Sequence, residues 1–122
     1  MAVLLVFLGG MLGAPLRYLT DRAVQKRHDS VFPWGTFTVN VVGSSVLGMI
    51  ACGVARHGWP NNAGLFVGTG ICGGLTTFST FGYETVRLMS GGALRMAALN
   101  VAGSLAAGLA AASAGWALVS VL

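Results

Sequence analysis

Four long apolar segments dominate this sequence and leave little polar chain between them. They cover residues of about 2–23, 33–54, 62–89 and 93–120 of the 122-residue chain. Each is long enough to cross the hydrocarbon core of a bilayer, which takes about 20 residues of helix. Only 8% of the residues are charged, against about 25% in a typical soluble domain. The segments therefore predict an all-α membrane protein, with one four-helix transmembrane domain over residues 1–122.

The few charged and sulfur-containing residues exclude several functional classes. Seven basic and three acidic residues give a net charge of +4, but the bases are scattered and form no face for nucleic acid. Membrane lipid is the partner they predict instead. Cys52 and Cys72 lie in apolar stretches without metal-ligand spacing, so we interpret both as small buried residues. No nucleophile and base are arranged for catalysis, and no enzyme is predicted.

The basic residues also predict how the chain lies in the membrane. Four spans place the first and third connections on one side, and both termini with the second connection on the other. Six of the seven bases belong to the first side, and only Arg56 belongs to the second. Because basic residues favour the cytoplasmic side, the count predicts that both termini lie outside.

The third apolar segment has an unusual composition near its middle. Four glycines fall between Gly68 and Gly74, and four hydroxyl residues fall between Thr76 and Thr80. One interpretation is a helix that breaks here, with freed backbone groups that line a cavity or coordinate an ion. The other is an unbroken helix whose glycines allow tight packing. The residue types favour the break and leave the packing interpretation open.

The second and fourth segments each carry polar residues at helical spacing. Asn40 and Ser44 are four apart, as are Asn100 and Ser104, so each pair shares one helix face. A buried amide needs hydrogen-bond partners, and Asn40 could join neighbouring helices. Alternatively, the two faces form a polar track along a pore.

Phe78, Phe81 and Arg17 are further candidate site residues, each with a structural alternative. Phe78 and Phe81 are three apart and could simply contact lipid or the core. However, the positive edge of an aromatic ring can also attract a small anion without a fixed charge. Arg17 either extends to the membrane surface or attracts anions into a vestibule.

Taken together, these motifs resemble the Fluc (CrcB) fluoride channel family over essentially the whole chain. The resemblance is carried by three motifs, Gly9-Gly10-x-x-Gly13-Ala14-x-x-Arg17-Tyr18, Gly35-Thr36-x-x-Val39-Asn40-x-x-Gly43-Ser44 and Gly73-Gly74-Leu75-Thr76-Thr77-Phe78-Ser79-Thr80-Phe81. It implies a plasma-membrane channel that passively exports cytoplasmic fluoride. It also implies an antiparallel, dual-topology dimer of four-helix subunits, in which the third helix is broken.

The resemblance assigns roles to particular residues. A central structural sodium ion, which is not transported, would be held by the backbone carbonyls of Gly73 and Thr76. The fluoride pore would be lined by a set of polar and aromatic side chains, namely Asn40, Thr77, Phe78, Ser79, Phe81 and Ser104. The chain departs from the family at Asn100, where members often carry a tyrosine. The one-sided basic residues also leave open a heterodimer with a related chain instead of a homodimer.

Two other functional classes remain as alternatives. A small proton-coupled multidrug exporter also has four spans, but it needs a carboxylate in the first span, where no acid precedes Asp21. A structural membrane protein would use its glycines for packing alone. Its ion fluxes would not respond to substitution of Asn40 or Phe81.

Overall fold

The computed structural model describes all residues 1–122 and contains helices without strands. Four stretches are long and apolar enough to cross a membrane, which confirms the predicted all-helical fold of a multi-pass membrane protein. The third stretch, Asn61–Ser90, consists of several consecutive helical pieces. The elements in chain order are α1 (Ala2–Lys26), α2 (Trp34–Arg56), α3 (Asn61–Ala63), a π-helix (Gly64–Cys72), α4 (Gly73–Leu75), α5 (Ser79–Ser90) and α6 (Leu94–Ser120).

Glycines allow the helices to approach one another closely. Along the α2–α6 contact, a β-carbon at Gly48 would overlap the Ala112 carbonyl, and one at Gly115 would overlap the Ser45 carbonyl. On the other side of the bundle, α1 packs against the π-helix and α4. There a β-carbon at Gly9 would overlap the Phe66 carbonyl. Small residues thus set the spacing of the bundle, as is typical where helices pack in lipid.

The π-helix between Gly64 and Cys72 was not predicted from the sequence. Its i→i+5 hydrogen bonds make wider turns, which are rare in proteins and frequently occur at functional sites. Three of its nine residues are glycines, which tolerate backbone geometries that larger side chains disfavour. It leads directly into α4, so the unusual backbone begins at Gly64, well before the hydroxyl-rich segment that starts at Thr76.

The single subunit has a small interior. Only 20 of its 122 residues are buried, and the completely buried side chains are those of Val39, Cys52 and Asn100. Large apolar side chains such as Val3 and Phe7 on α1 are exposed. A membrane protein can present such residues to lipid or to another subunit, so this exposure accords with the four predicted spans.

Candidate functional site

One cavity brings together most of the residues singled out in the sequence. It has a volume of about 630 Å³ and lies between α2, the middle of the third span and α6. Seven of the nine predicted site residues line it, namely Asn40, Gly73, Thr76, Thr77, Phe78, Phe81 and Ser104. The cavity is open on one side of the subunit, where Phe78 is 82% exposed.

The helix of the third span is interrupted at this cavity. α4 ends at Leu75, Thr76 has an extended backbone with φ −80° and ψ 159°, and α5 begins at Ser79. Threonine hydroxyl groups of the segment form hydrogen bonds with backbone groups on both sides of the interruption. Thr76 Oγ1 donates to the Cys72 carbonyl at 2.8 Å, and Thr77 Oγ1 accepts from the Thr80 amide at 3.1 Å. Thr77, which precedes the N-cap residue Phe78, therefore satisfies one backbone amide in the first turn of α5.

Asn40 on α2 holds the interrupted segment in place. Its Nδ2 donates to the Thr77 carbonyl at 3.0 Å, and its Oδ1 accepts from the Thr77 amide at 2.8 Å. The side-chain amide thus pairs with both backbone groups of one residue, as a neighbouring strand would. Because Nδ2 has two hydrogens, one N–H group stays available on the cavity wall. Asn40 is therefore both a brace for the backbone and a hydrogen-bond donor at the cavity.

The same arrangement takes away the helical partners of carbonyl groups around the interruption, including those of Gly73 and Thr76, the two that the resemblance singled out. In a continuous helix, the Gly73 carbonyl would accept from the Thr77 amide, and the Thr76 carbonyl from the Thr80 amide. Here the Thr77 amide donates to Asn40, and the Thr80 amide donates to Thr77 Oγ1. Neither carbonyl accepts a backbone hydrogen bond outside the helices. The Gly74 carbonyl has likewise lost the Phe78 amide, so several backbone oxygens around the interruption have no helical partner.

The two phenylalanines lie side by side at the start of α5. The ring centroids of Phe78 and Phe81 are 5.9 Å apart, and the ring planes are tilted by 43°. Both side chains line the cavity. Their edges carry a partial positive charge, so a tilted pair can present weak positive potential to the cavity.

No charged side chain lines the cavity. Glu84, the acidic residue of α5, accepts a hydrogen bond from Thr36 Oγ1 and lies outside the lining. No cluster of acidic, histidine or cysteine side chains is placed to hold a metal ion. Any ion in the cavity would therefore be held by neutral groups, which are backbone dipoles, hydroxyls, one amide and aromatic edges.

Two predicted site residues lie outside the cavity lining. Arg17 is a partly exposed residue of α1, and Ser79 is an exposed residue at the start of α5, with its hydroxyl 3.4 Å from Thr77 Oγ1. Conversely, sequence reasoning did not single out Leu47 and Thr69, which do line the cavity. Their positions follow from the π-helix and the helix packing, and no local motif marks them.

Comparisons with known proteins place this architecture in a family. The family model described as "CrcB-like protein, Camphor Resistance (CrcB)" matches residues 4–116. The Fluoride-specific ion channel FluC 1 of Frankia casuarinae is 58% identical over 121 residues, covering 94% of this chain and 93% of the relative. The proteins of the same name from Streptomyces avermitilis and Nocardia farcinica are also 58% identical, over 92% and 89% of this chain and 90% and 74% of their own lengths. This chain therefore belongs to the CrcB family.

Proposed function

We propose that this chain is a fluoride-specific ion channel that lets cytoplasmic fluoride leave the cell passively, and that it is not an enzyme. The relatives named as fluoride-specific ion channels support this function. The observation that carries it is the interrupted third span, which faces a cavity without charged side chains. Fluoride that enters cells as neutral HF in acidic surroundings becomes more concentrated inside, so a passive pore lowers its toxicity without an energy source.

The cavity has the chemistry of a weak anion pathway. α5 begins at the cavity, and the amide groups of its first turn together with the helix dipole favour a negative ion there. The free N–H of Asn40 and the edges of Phe78 and Phe81 add further partial positive charge. Conduction requires an ion to enter and also to leave. A pathway without a Lys or Arg side chain meets both conditions. Partial positive charges attract fluoride into it, and no full charge binds fluoride tightly enough to hold it there.

We propose that the free carbonyls of Gly73 and Thr76 hold a structural sodium ion that is not transported. Interrupted membrane helices coordinate Na⁺ with such carbonyls, and their neutral oxygens suit a monovalent cation. The donor set fits because both carbonyls have lost their helical amide partners. One subunit supplies only two such oxygens, so a complete site needs oxygens from elsewhere.

A dimer provides those oxygens and covers the open side of the cavity. Gly73 and Phe78 are exposed in the single subunit, and lipid cannot satisfy free carbonyl groups. A second copy related by twofold symmetry would bring the same two carbonyls to the first pair. We therefore propose an antiparallel, dual-topology dimer with the sodium ion at its centre.

The orientation of the subunits gives a testable prediction. In a Cys52→Ala/Cys72→Ala background, a cysteine added after Leu122 should react with a membrane-impermeant maleimide from both sides of the membrane. The two native cysteines are buried and unpaired, so their replacement removes competing thiols. Labelling from one side only, with flux that depends on a second chain, would contradict the homodimer. It would support a heterodimer instead, as the uneven basic residues allow.

The aromatic pair gives a second prediction. Phe78→Ile and Phe81→Ile should each lower fluoride efflux by about fivefold, because ring contacts of this kind contribute roughly 1 kcal/mol and about 1.4 kcal/mol changes an equilibrium tenfold. Dimer formation should persist. Phe7→Ile is the matched control, since Phe7 is an exposed residue of α1 outside the cavity. Unchanged efflux in both cavity variants would assign the rings to packing alone.

Growth in fluoride tests the proposed function in cells. A strain that lacks its own fluoride exporter should be sensitive to fluoride, and expression of this chain should restore growth. A multidrug exporter would instead protect against organic cations, and a structural membrane protein would protect against neither. Failure to restore growth by a chain that is present in the membrane would contradict the proposal.

A further inference from the structure

Asn100 is a fully buried polar residue that lies behind the cavity wall. Its side chain is 1% exposed and does not line the cavity. Asn100 Nδ2 donates to Thr85 Oγ1 at 2.8 Å, and Asn100 Oδ1 accepts from Ser104 Oγ at 3.2 Å. Thr85 Oγ1 in turn donates to the Phe81 carbonyl at 2.8 Å. These bonds form one chain, from Ser104 through Asn100 and Thr85 to Phe81.

The two ends of this chain are cavity residues on different helices. Ser104 belongs to α6 and Phe81 to α5, and both line the cavity, whereas Asn100 and Thr85 do not. The Asn100–Thr85 bond is the one side-chain hydrogen bond that joins α5 to α6. α5 packs less extensively on α6 than α2 does, so this bond is an important tie between α5 and α6, while the Thr36–Glu84 hydrogen bond ties α5 to α2.

A buried amide at this position has a cost that an apolar residue would avoid. Transfer of an amide out of water is unfavourable unless its hydrogen bonds are replaced, and leucine has a similar size. Both ends of the Asn100 amide are satisfied. Fully hydrogen-bonded buried networks hold their neighbours in one arrangement. This role accounts for a polar residue at position 100 better than a contribution to folding stability does.

We propose that Asn100 is a positioning residue that fixes Phe81 of α5 relative to Ser104 of α6 across the cavity. This inference rests on the proposed fluoride channel function and adds to it a residue that contacts no ion. The Ser104 hydroxyl donates to Asn100 Oδ1, so Asn100 also fixes the orientation of that hydroxyl at the cavity wall. Without Asn100, α5 would shift and the Ser104 hydroxyl would turn freely.

The test compares fluoride and chloride efflux from liposomes that contain the full-length chain, as wild type or as Asn100→Leu, Thr85→Val and the double variant. Asn100→Leu should lower fluoride efflux by about tenfold, the scale of one or two lost hydrogen bonds, and should lower the fluoride-to-chloride ratio. A residue that only stabilised the fold would reduce the amount of dimer without changing that ratio. The double variant should be no worse than Asn100→Leu, because both single changes break the same chain.

Thr38→Val is the matched control for Thr85→Val. Thr38 Oγ1 also donates to a carbonyl one turn back, that of Trp34, at 2.8 Å, and it lies outside the cavity and the Asn100 chain. It should leave efflux and ion selectivity unchanged. If Asn100→Leu does not fold, Thr85→Val alone decides, with lowered selectivity as the supporting result.

Wild-type efflux and selectivity in Asn100→Leu, or in Thr85→Val where that variant must decide, would overturn this inference and leave the proposed function standing. Simple addition of the two single effects would also overturn it, because the residues would then act separately. A wild-type chain without fluoride efflux would overturn the proposed function and this inference together.

Discussion

Asn40→Leu should abolish fluoride efflux, with a loss of more than about a hundredfold. The substitution removes both hydrogen bonds to the Thr77 backbone and leaves a buried amide and carbonyl unsatisfied, at roughly 1–3 kcal/mol for each group. A total of about 3 kcal/mol corresponds to about a hundredfold change. The variant also removes the Asn40 N–H group from the cavity wall. Efflux from reconstituted liposomes, followed with a fluoride electrode, measures the effect.

Thr38→Val serves as the control for this substitution because it changes the same helix away from the cavity. The amount of protein that elutes as a dimer separates a lost pathway from a lost fold. Asn40→Leu protein that forms the dimer and conducts within twofold of wild type would show that the pairing with Thr77 is not needed for conduction.

Removal of sodium should slow fluoride efflux by more than about tenfold. If Na⁺ joins the carbonyls of Gly73 and Thr76 from two subunits, its loss leaves buried oxygens that nothing else satisfies. N-methyl-D-glucamine should replace sodium on both sides of the membrane, since it is too large to fit between backbone carbonyls. Potassium and valinomycin should carry the compensating charge in both arms of the experiment.

The fluoride efflux rate should recover when sodium is added back. Replacement of sodium by lithium, a smaller monovalent cation, gives an intermediate condition in which the efflux rate can be compared. An efflux rate that does not change after thorough exchange of sodium would contradict the structural ion. The fluoride pathway itself would stand in that case, because its donors are the α5 amides, Asn40 and the two phenylalanines.

The sequence was sufficient for the four spans and the family, because both depend on patterns along the chain. Apolar runs of about 20 residues predict spanning helices whatever their tertiary contacts, and the structure has four helical stretches long and apolar enough to cross a membrane. The motifs around Asn40 and Phe81 lie within the family match over residues 4–116. The glycines and hydroxyls of the third segment also marked the region where Thr76 leaves the helix.

Features that depend on contacts between distant parts of the chain could not be predicted from the sequence pattern. Asn40 pairs with a backbone 37 residues away, and residue type alone does not distinguish such a brace from a pore residue. Two polar residues of α2 that are four positions apart also have different surroundings, because Asn40 lines the cavity while Thr36 bonds Glu84 outside it. The π-helix has no periodic signature separate from that of an α-helix, since its nine residues are apolar or small.

The polar face of α6 divides in the same manner. Ser104 lines the cavity, but Asn100, one turn earlier, points to Thr85 on α5. Helical spacing places both residues on one side of α6, and only the position of α5 determines which of them reaches the cavity.

Selective fluoride efflux is the most direct test of the central claim. Liposomes that contain the purified chain and are loaded with equal concentrations of fluoride and chloride should release fluoride rapidly when valinomycin is added. Chloride should stay inside, at the rate of protein-free liposomes. Release of both anions at equal rates, or release of neither, would contradict a fluoride-specific channel.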